Sequence, residues 1–159
     1  MELFNTLGKT LMPFVPVAGK NVGFYACGPT VYHYAHIGNM RTYIFEDVLA
    51  KTLREQGFSV RHVMNITDVG HLQSDADFGD DKLMLGAARE QKTPWEVARF
   101  YEEAFFRHSA SLNVKRPDIV CRATEHIPEI IAMVEQLLEK GVAYISAGNV
   151  YFSLEKFPT

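Results

Sequence analysis

The sequence predicts an α/β fold that begins with a strand, a helix and a second strand. An apolar run at residues 22–27 is closed by a glycine and a proline, as is typical of a buried strand. Apolar residues then recur at helical spacing over residues 36–56, and a second strand-like run occupies residues 59–66. Two strands joined by a long helix form a βαβ unit, so we expect a parallel pair of strands with a right-handed crossover.

The helix at residues 36–56 is expected to bury one apolar stripe and to end at Gly57. Asp47 and Lys51 lie one turn apart, and we expect them to form an ion pair on the outer face of this helix. The residues expected in the buried stripe are Met40, Ile44 and Val48, with Phe45, Leu49 and Leu53 beside them.

The rest of the chain is predicted to be mainly helical. Thr93 and Glu96 have the spacing of a capping box around Pro94, so a helix should begin there and end near Leu112. A further helix is expected over residues 125–140, followed by a hairpin with strands at 142–145 and 149–154. The residues expected to be buried are Val97, Tyr101, Ala104 and Phe105 in the first of these helices, and Ile127, Ile131, Val134 and Leu138 in the second.

These elements divide the chain into residues 1–92, which hold the βαβ unit, and residues 93–159, which hold the later helices and the hairpin. A parallel sheet of only two strands leaves both of its edges unpaired and covers little of a helix face. We therefore expect the chain to be the N-terminal part of a larger protein.

The composition excludes several classes of protein. The 159 residues are 47% hydrophobic and 22% charged, which is typical of a globular domain and excludes a disordered tail. No apolar run is long enough to span a membrane, and the first residues lack the features of a signal peptide. Cys27 and Cys121 are far apart, so we expect reduced thiols in a cytoplasmic protein. The net charge of −3 argues against a general affinity for nucleic acid.

The expected position of a ligand site follows from the βαβ unit. Ligands of open parallel sheets bind beyond the carboxyl ends of the strands. Those ends carry the segment Cys-Gly-Pro-Thr at residues 27–30 and the segment Asn-Ile-Thr-Asp at residues 65–68. We therefore expect the site between these two segments.

A second feature of the site is the segment His36-Ile37-Gly38-Asn39, at the start of the first helix. The N-terminus of a helix offers free N–H groups and attracts phosphate, and Gly38 allows a ring or a phosphate to approach the backbone. His36 and Asn39 can direct donors at one anionic group, which would stabilise a transferring phosphoryl centre. Helix capping is the competing interpretation of His36.

Taken together, these segments resemble the cysteinyl-tRNA synthetases, class I enzymes with the HIGH signature. The resemblance rests on residues 25–32 and 36–42 and continues in residues 65–68, 112–118, 122–124 and 150–152. It implies a Rossmann-like nucleotide-binding domain, of which residues 1–92 are the N-terminal half. It also implies that residues 93–159 lead into the connective insertion of the catalytic domain.

The resemblance implies roles for individual residues. Cys27 would be one of four zinc ligands and would lie in the amino-acid pocket, where a zinc–sulfur bond separates cysteine from serine. Thr67 and Asp68 would also lie in this pocket, although a strand end and a turn explain them equally well. The nucleotide-binding residues implied are Gly28, His36, Gly38 and Asn39, with His36 and Asn39 catalytic and Gly28 also contacting the amino acid.

The implied reaction uses ATP with magnesium to convert cysteine to cysteinyl-adenylate and then transfers the cysteinyl group to tRNA(Cys). We expect a monomer that does not bind membranes. Cys121 lies outside every motif and is expected to be structural.

The sequence departs from the family pattern in three places. Asn39 replaces the second histidine of the signature. The replacement keeps an N–H donor but removes a group that can become cationic. Residues 70–79 form an acidic insert before the segment Asp80-Asp81-Lys82, for which we expect a solvated loop rather than a calcium site. A Lys-Met-Ser-Lys-Ser-like loop is lacking, and the other zinc ligands are expected beyond Thr159. We therefore expect little catalysis by the chain alone.

Two other functions remain open at this stage. One is a ligase of mycothiol synthesis, which shares the zinc and HIGH architecture but attaches cysteine to an aminosugar. The other is a stand-alone fragment that acts as a binding module, or a truncated paralogue without catalysis.

Overall fold

A computed structural model describes residues 1–69 and 93–157 of the chain. The contacts group Met1–Arg122 into one compact unit and Ala123–Thr159 into another. The predicted division at residue 92 and the acidic insert at residues 70–79 lie outside the described residues. None of the described helices is both long enough and apolar enough to cross a membrane.

The first unit opens with an antiparallel hairpin of β1 (Glu2–Asn5) and β2 (Thr10–Pro13). The sequence did not predict this hairpin. Nearly all of its residues are exposed, so the alternation of buried and exposed positions that indicates a strand is missing.

The central element is a parallel sheet of three strands in the order β3 (Asn21–Ala26), β4 (Ser59–Ile66) and β5 (Ile119–Arg122). Strands β3 and β4 are connected by the helix α1 (Ile37–Glu55), so the predicted βαβ unit is confirmed. Gly57 follows α1 with φ of +83°, as expected at the end of a helix. The third strand was not predicted, because four half-buried residues carry no clear period. Cys121 lies half-buried in this strand.

The buried face of α1 differs from the predicted stripe. Ile44, Phe45 and Val48 are exposed, so the prediction was wrong for these residues. The Asp47–Lys51 ion pair forms at 2.6 Å, but Asp47 is buried rather than on the outer face. Its Oδ1 accepts the backbone N–H of Lys115 at 3.0 Å. The helix is therefore rotated about its axis relative to the prediction, with Asp47 on the buried face. The buried residues are Met40, Tyr43, Glu46, Asp47, Ala50 and Leu53.

The helix α2 (Pro94–Ser111) begins as predicted with a capping box between Thr93 and Glu96. Its predicted core residues Val97, Tyr101, Ala104 and Phe105 are all buried. Val97, Tyr101 and Phe105 join two apolar clusters that contain residues of β4, so α2 covers the same sheet as α1. The clusters are Val31, Ile66, Val97, Ala98 and Tyr101, and Met40, Tyr43, Met64 and Phe105.

Charged side chains join the edge strand β5 to the rest of the unit. Asp118, just before β5, accepts the backbone N–H of His62 at 2.8 Å and a guanidinium N–H of Arg54 at 3.2 Å. At the other end of β5, Arg122 donates to both carboxylate oxygens of Glu102 on α2, at 2.7 and 2.8 Å. These contacts give a structural explanation for Asp118 and Arg122, whose partners are groups of the protein itself.

The second unit contains a 3-10 turn (Ala123–His126), the helix α3 (Ile127–Glu139), the hairpin of β6 (Ala143–Ser146) and β7 (Asn149–Phe152), and a final 3-10 turn (Leu154–Lys156). The helix and the hairpin were predicted, with ends shifted by a few residues. The predicted burial of α3 was wrong, because Ile127 and Ile131 are exposed while Val134 and Leu138 are half-buried. Among the described residues of its unit, α3 packs mainly against β6 and the preceding turn, which cover little of a helix.

Candidate nucleotide-binding site

The carboxyl ends of β3 and β4 are joined by the side chain of Asn65. Its Oδ1 accepts the backbone N–H of Gly28 and the hydroxyl of Tyr25, both at 3.0 Å. Its Nδ2 donates to Oγ1 of Thr67 at 3.3 Å. The amide thus uses both its oxygen and its nitrogen, which fixes the two segments relative to each other. Asn65 was not predicted as a site residue, although a polar residue within an apolar strand is a signal for it.

The loop after β3 pairs with the end of β4 through the backbone. The N–H of Val31 donates to the carbonyl of Thr67 at 3.2 Å, and the N–H of Thr67 donates to the carbonyl of Pro29 at 3.1 Å. A Cβ at Gly28 would collide with the backbone carbonyl of Asn65 and come within 2.7 Å of the Met64 side chain. The backbone packing alone therefore requires glycine at position 28, whether or not a ligand is bound.

The N-terminus of α1 is closed by a capping box between His36 and Asn39. Nδ1 of His36 accepts the N–H of Gly38 at 3.0 Å, and Oδ1 of Asn39 accepts the N–H of His36 at 3.0 Å. Because Nδ1 is the acceptor, the neutral imidazole carries its proton on Nε2. Because Oδ1 of Asn39 is engaged, its amide has Nδ2 left to donate to a ligand. Capping and ligand binding are therefore compatible at both residues.

A cavity of about 490 Å³ lies inside the loop between β3 and α1. Of the predicted site residues, Gly28, His36 and Asn39 line this cavity. Its other walls include the aromatic rings of Tyr34 from the loop and Tyr101 from α2, whose centroids are 5.0 Å apart. The sequence did not predict this aromatic wall, because it depends on a contact between residues far apart in the chain.

The other predicted site residues lie outside the lining of this cavity in the part of the chain that the structure describes. Gly38 is exposed in the first turn of α1 and donates its N–H to His36. Cys27 is exposed at the end of β3, Thr67 is half-buried, and Asp68 is 7% exposed at the end of β4. The structure thus brings together the predicted nucleotide-binding residues Gly28, His36 and Asn39, with the predicted amino-acid residues beside them.

Two titratable groups of α1 have raised pKa values. Tyr43 lines the cavity, and burial, together with the charges of Glu46 and Cys27, raises the pKa of Tyr43 to about 12. Burial also raises the pKa of Glu46 to about 7. Near neutral pH the tyrosine is therefore uncharged, so its hydroxyl remains a hydrogen-bond donor.

The parallel sheet with a cavity at the carboxyl ends of its strands and at a helix N-terminus has the arrangement of the open α/β folds that bind ligands at this edge. A LeuRS of Agrobacterium radiobacter, solved in a ternary complex titled LeuRS-tRNA-LeuAMS, has a similar fold with a TM-score of 0.63 and 19% identity. The similarity covers 80% of this chain and 16% of that chain.

The chain belongs to the family described as tRNA synthetases class I (C) catalytic domain, whose profile matches residues 13–159. It is 50% identical over 158 residues to a cysteine–tRNA ligase of Treponema denticola, which covers 99% of this chain and 32% of that protein. It is 49% identical over 156 residues to cysteine–tRNA ligase 1 of Burkholderia lata, which covers 98% of this chain and 33% of that protein. The chain thus spans about a third of the length of these curated relatives.

Proposed function

We propose that this chain carries the ATP-binding part of a cysteine–tRNA ligase active site. The observation that carries the proposal is that Gly28, His36 and Asn39 line one cavity at the N-terminus of α1. The family and the names of the relatives support the same function. We further propose that the whole protein acts as a cytoplasmic monomer.

The proposed reaction is adenylation followed by transfer. A carboxylate oxygen of cysteine attacks the α-phosphorus of ATP, which enters with magnesium, and the bond to pyrophosphate breaks. The cysteinyl group of the resulting cysteinyl-adenylate then passes to the terminal ribose of tRNA(Cys), and AMP leaves. In this proposal the fold contributes positioning and stabilisation of charge rather than a covalent intermediate.

His36 and Asn39 are the proposed phosphate donors. Nε2–H of His36 and Nδ2 of Asn39 supply hydrogen bonds beside the positive end of the α1 dipole, where negative charge is stabilised. Both side chains are held by the capping box, so little freedom is lost when they bind a phosphate. Gly38 keeps the first turn of α1 open to the ligand, and Gly28 lets the nucleotide approach the end of β3.

Cys27, Gly28, Thr67 and Asp68 are the proposed contacts of the amino acid. The exposed sulfur of Cys27 suits zinc, but no group of three or more His, Cys, Asp or Glu side chains converges as a metal site among residues 1–69 and 93–157. The described residues alone therefore do not fit a four-ligand zinc site. Cys27 is proposed only as one ligand, and no step of the reaction is assigned to the metal.

ATP binding to the chain tests the proposal. We would measure the Kd of Mg-ATP by titration calorimetry and map the site by amide chemical shifts. Asn39→Asp keeps the oxygen that caps His36 but replaces the donor with a negative charge, so we expect the affinity to fall about tenfold or more. Asn21→Asp makes the same chemical change at the other end of β3 and should leave the affinity unchanged.

His36→Asn is the second variant. Asparagine is a good N-cap, so the helix stays capped while the imidazole donor is lost. We expect weaker ATP binding with unchanged stability to urea. If both variants bind ATP as tightly as the parent, or if the shifts map away from the β3–α1 loop, the site is wrongly placed.

Substrate identity needs a separate measurement. ATP–pyrophosphate exchange by the whole protein should depend on cysteine and be far slower with serine. Equal exchange with the two amino acids would contradict cysteine as the substrate, even if ATP binding behaves as expected.

A further inference from the structure

A second cavity of about 190 Å³ lies on the other side of Tyr43 and Phe105 from the candidate site. It is enclosed by α1, β4, α2 and the loop between α2 and β5, all within the first unit. Its walls are mainly apolar, with Met64, Phe105 and Phe106 among them. This second cavity is therefore distinct from the cavity in the loop between β3 and α1, although Tyr43 and Phe105 line both.

Two buried polar atoms in the walls of this cavity have no hydrogen-bond partner among the described residues. They are Nε2 of His62 and Oγ of Ser109, and each of these residues is only 5% exposed. Leaving such a group unpaired costs about 1–3 kcal/mol, so unpaired buried atoms are rare in folded proteins. Two such atoms on residues that line one cavity are available to a ligand that bonds to both.

The size and the lining restrict what that ligand can be. An apolar cavity of about 150 Å³ accepts a benzene-sized molecule, so 190 Å³ is sufficient for one substituted ring. The aromatic side chains of Phe105 and Phe106 in the lining suit an aromatic ligand. Burial lowers the pKa of His62, so its ring is neutral near pH 7. Its Nε2 can then accept a hydrogen bond from a neutral ligand. A positively charged ligand would be expensive to bury beside Lys115 and Arg116, which also line the cavity.

We propose that this cavity is an accessory binding site for a small neutral aromatic molecule that carries a hydroxyl group. The hydroxyl donates to Nε2 of His62 and accepts from Oγ of Ser109, while the ring packs among the apolar walls. At the rim, the guanidinium of Arg116 lies 3.7 Å from the centre of the Phe106 ring and borders the entrance.

The second cavity adjoins the candidate nucleotide-binding site. Tyr43 and Phe105 line both cavities, and their rings meet edge to face at 4.7 Å. Tyr43 is on the same helix as His36 and Asn39. A ligand in the inner cavity therefore packs against the helix whose N-terminus forms the candidate site.

Titration of the chain with phenol tests the proposal, with toluene as the matched ligand that lacks the hydroxyl. We expect saturable amide shifts around the inner cavity with phenol and clearly weaker binding of toluene. Ser109→Ala removes one hydrogen bond with little change in volume and should weaken phenol about fivefold. Ser111→Ala removes a hydroxyl from the exposed end of the same helix and should change nothing.

A second variant narrows the cavity without touching its polar atoms. Ala110 is exposed and lines the cavity, so Ala110→Leu should weaken phenol binding, whereas Ala132→Leu on the exposed side of α3 should not. The proposal is overturned if phenol causes no saturable shifts in the parent chain, which is the result expected if only water occupies the cavity. Toluene binding as tightly as phenol, or equal affinities in the Ser109→Ala and Ser111→Ala variants, would also overturn it.

Discussion

Asn65 accepts the backbone N–H of Gly28 on its side-chain oxygen at 3.0 Å and thereby joins the ends of β3 and β4. The same oxygen accepts the hydroxyl of Tyr25, and the amide nitrogen donates to Thr67. One side chain therefore holds the two segments between which the sequence predicts the ligand site. Gly28 lines the cavity and Asn65 does not, so Asn65 supports the site from outside the cavity.

Replacing Asn65 with alanine should loosen the site. The change removes all three hydrogen bonds of the side chain and leaves the N–H of Gly28 without its acceptor, so we expect the free energy of unfolding to fall by about 1–3 kcal/mol. Urea unfolding measures this loss. Tyr25→Phe removes only the bond of an exposed hydroxyl and should cost less than about 1 kcal/mol. Equal losses in the two variants would contradict a central role for Asn65.

Gly28→Ala tests how closely the two segments approach. The new Cβ would collide with the carbonyl of Asn65, so the backbone must shift, and we expect a loss of about 1–3 kcal/mol or more. Gly23→Ala within β3 is the control, because a Cβ there has nothing within 4 Å. It should be neutral or slightly stabilising, since alanine restricts the unfolded chain. Similar urea midpoints for the two variants would show that the approach at Gly28 is not tight.

The βαβ unit and α2 could be predicted because their signals are local. Apolar residues recur through β4 at Val60, Val63, Met64 and Ile66, and the capping box at Thr93 marks the start of α2. The buried face of α1 could not be predicted, because Asp47 is buried against residues outside the helix. Its bond to the N–H of Lys115 depends on a loop that the helix sequence does not specify.

In the candidate site, too, local features could be predicted and contacts between distant residues could not. The His36–Asn39 segment and the two strand ends have local signals, so their positions could be predicted from the βαβ unit. The cavity itself needs Tyr101, which α2 brings against Tyr34. Likewise, His62 and Ser109 are unremarkable in sequence, and only the packing of β4 against α2 places them in one cavity.

Asp118 should make the chain sensitive to acid. The hydrogen bond from the N–H of His62, with the charge of Arg54, lowers the pKa of Asp118 below its ordinary value of 3.8. A lowered pKa contributes stability that is present above pH 3.8 and is lost as the pH falls through the folded-state pKa.

Asp118→Asn keeps an oxygen for His62 but removes the charge, so its stability should fall less steeply below pH 4 than that of the parent. Asp118→Ala also removes the acceptor and should cost about 1–3 kcal/mol at neutral pH, where Asp118→Asn costs less. Chemical unfolding at pH 3 to 7 measures both effects. Parallel curves for the parent and Asp118→Asn would contradict the assignment.

Glu46 should give the opposite dependence on pH. Burial raises its pKa from 4.5 to about 7, and one of its carboxylate oxygens, Oε2, has no partner among the described residues. Because the folded-state pKa is the higher one, the stability that Glu46 contributes is fully present below pH 4.5 and is lost as the pH rises to about 7. Glu46→Gln cannot ionise, so it should be more stable than the parent above pH 7, by at most on the order of 3 kcal/mol.

The difference in unfolding free energy between Glu46→Gln and the parent isolates this effect. His62 has a lowered pKa, so it destabilises both proteins as the pH falls below its ordinary value of 6.5, and its contribution cancels in the difference. Glu55→Gln, an exposed substitution at the end of α1, is the control and should follow the parent between pH 5 and 8. A difference for Glu46→Gln that stays constant over this range would mean that the carboxyl group ionises at the same pH in the folded and unfolded chain.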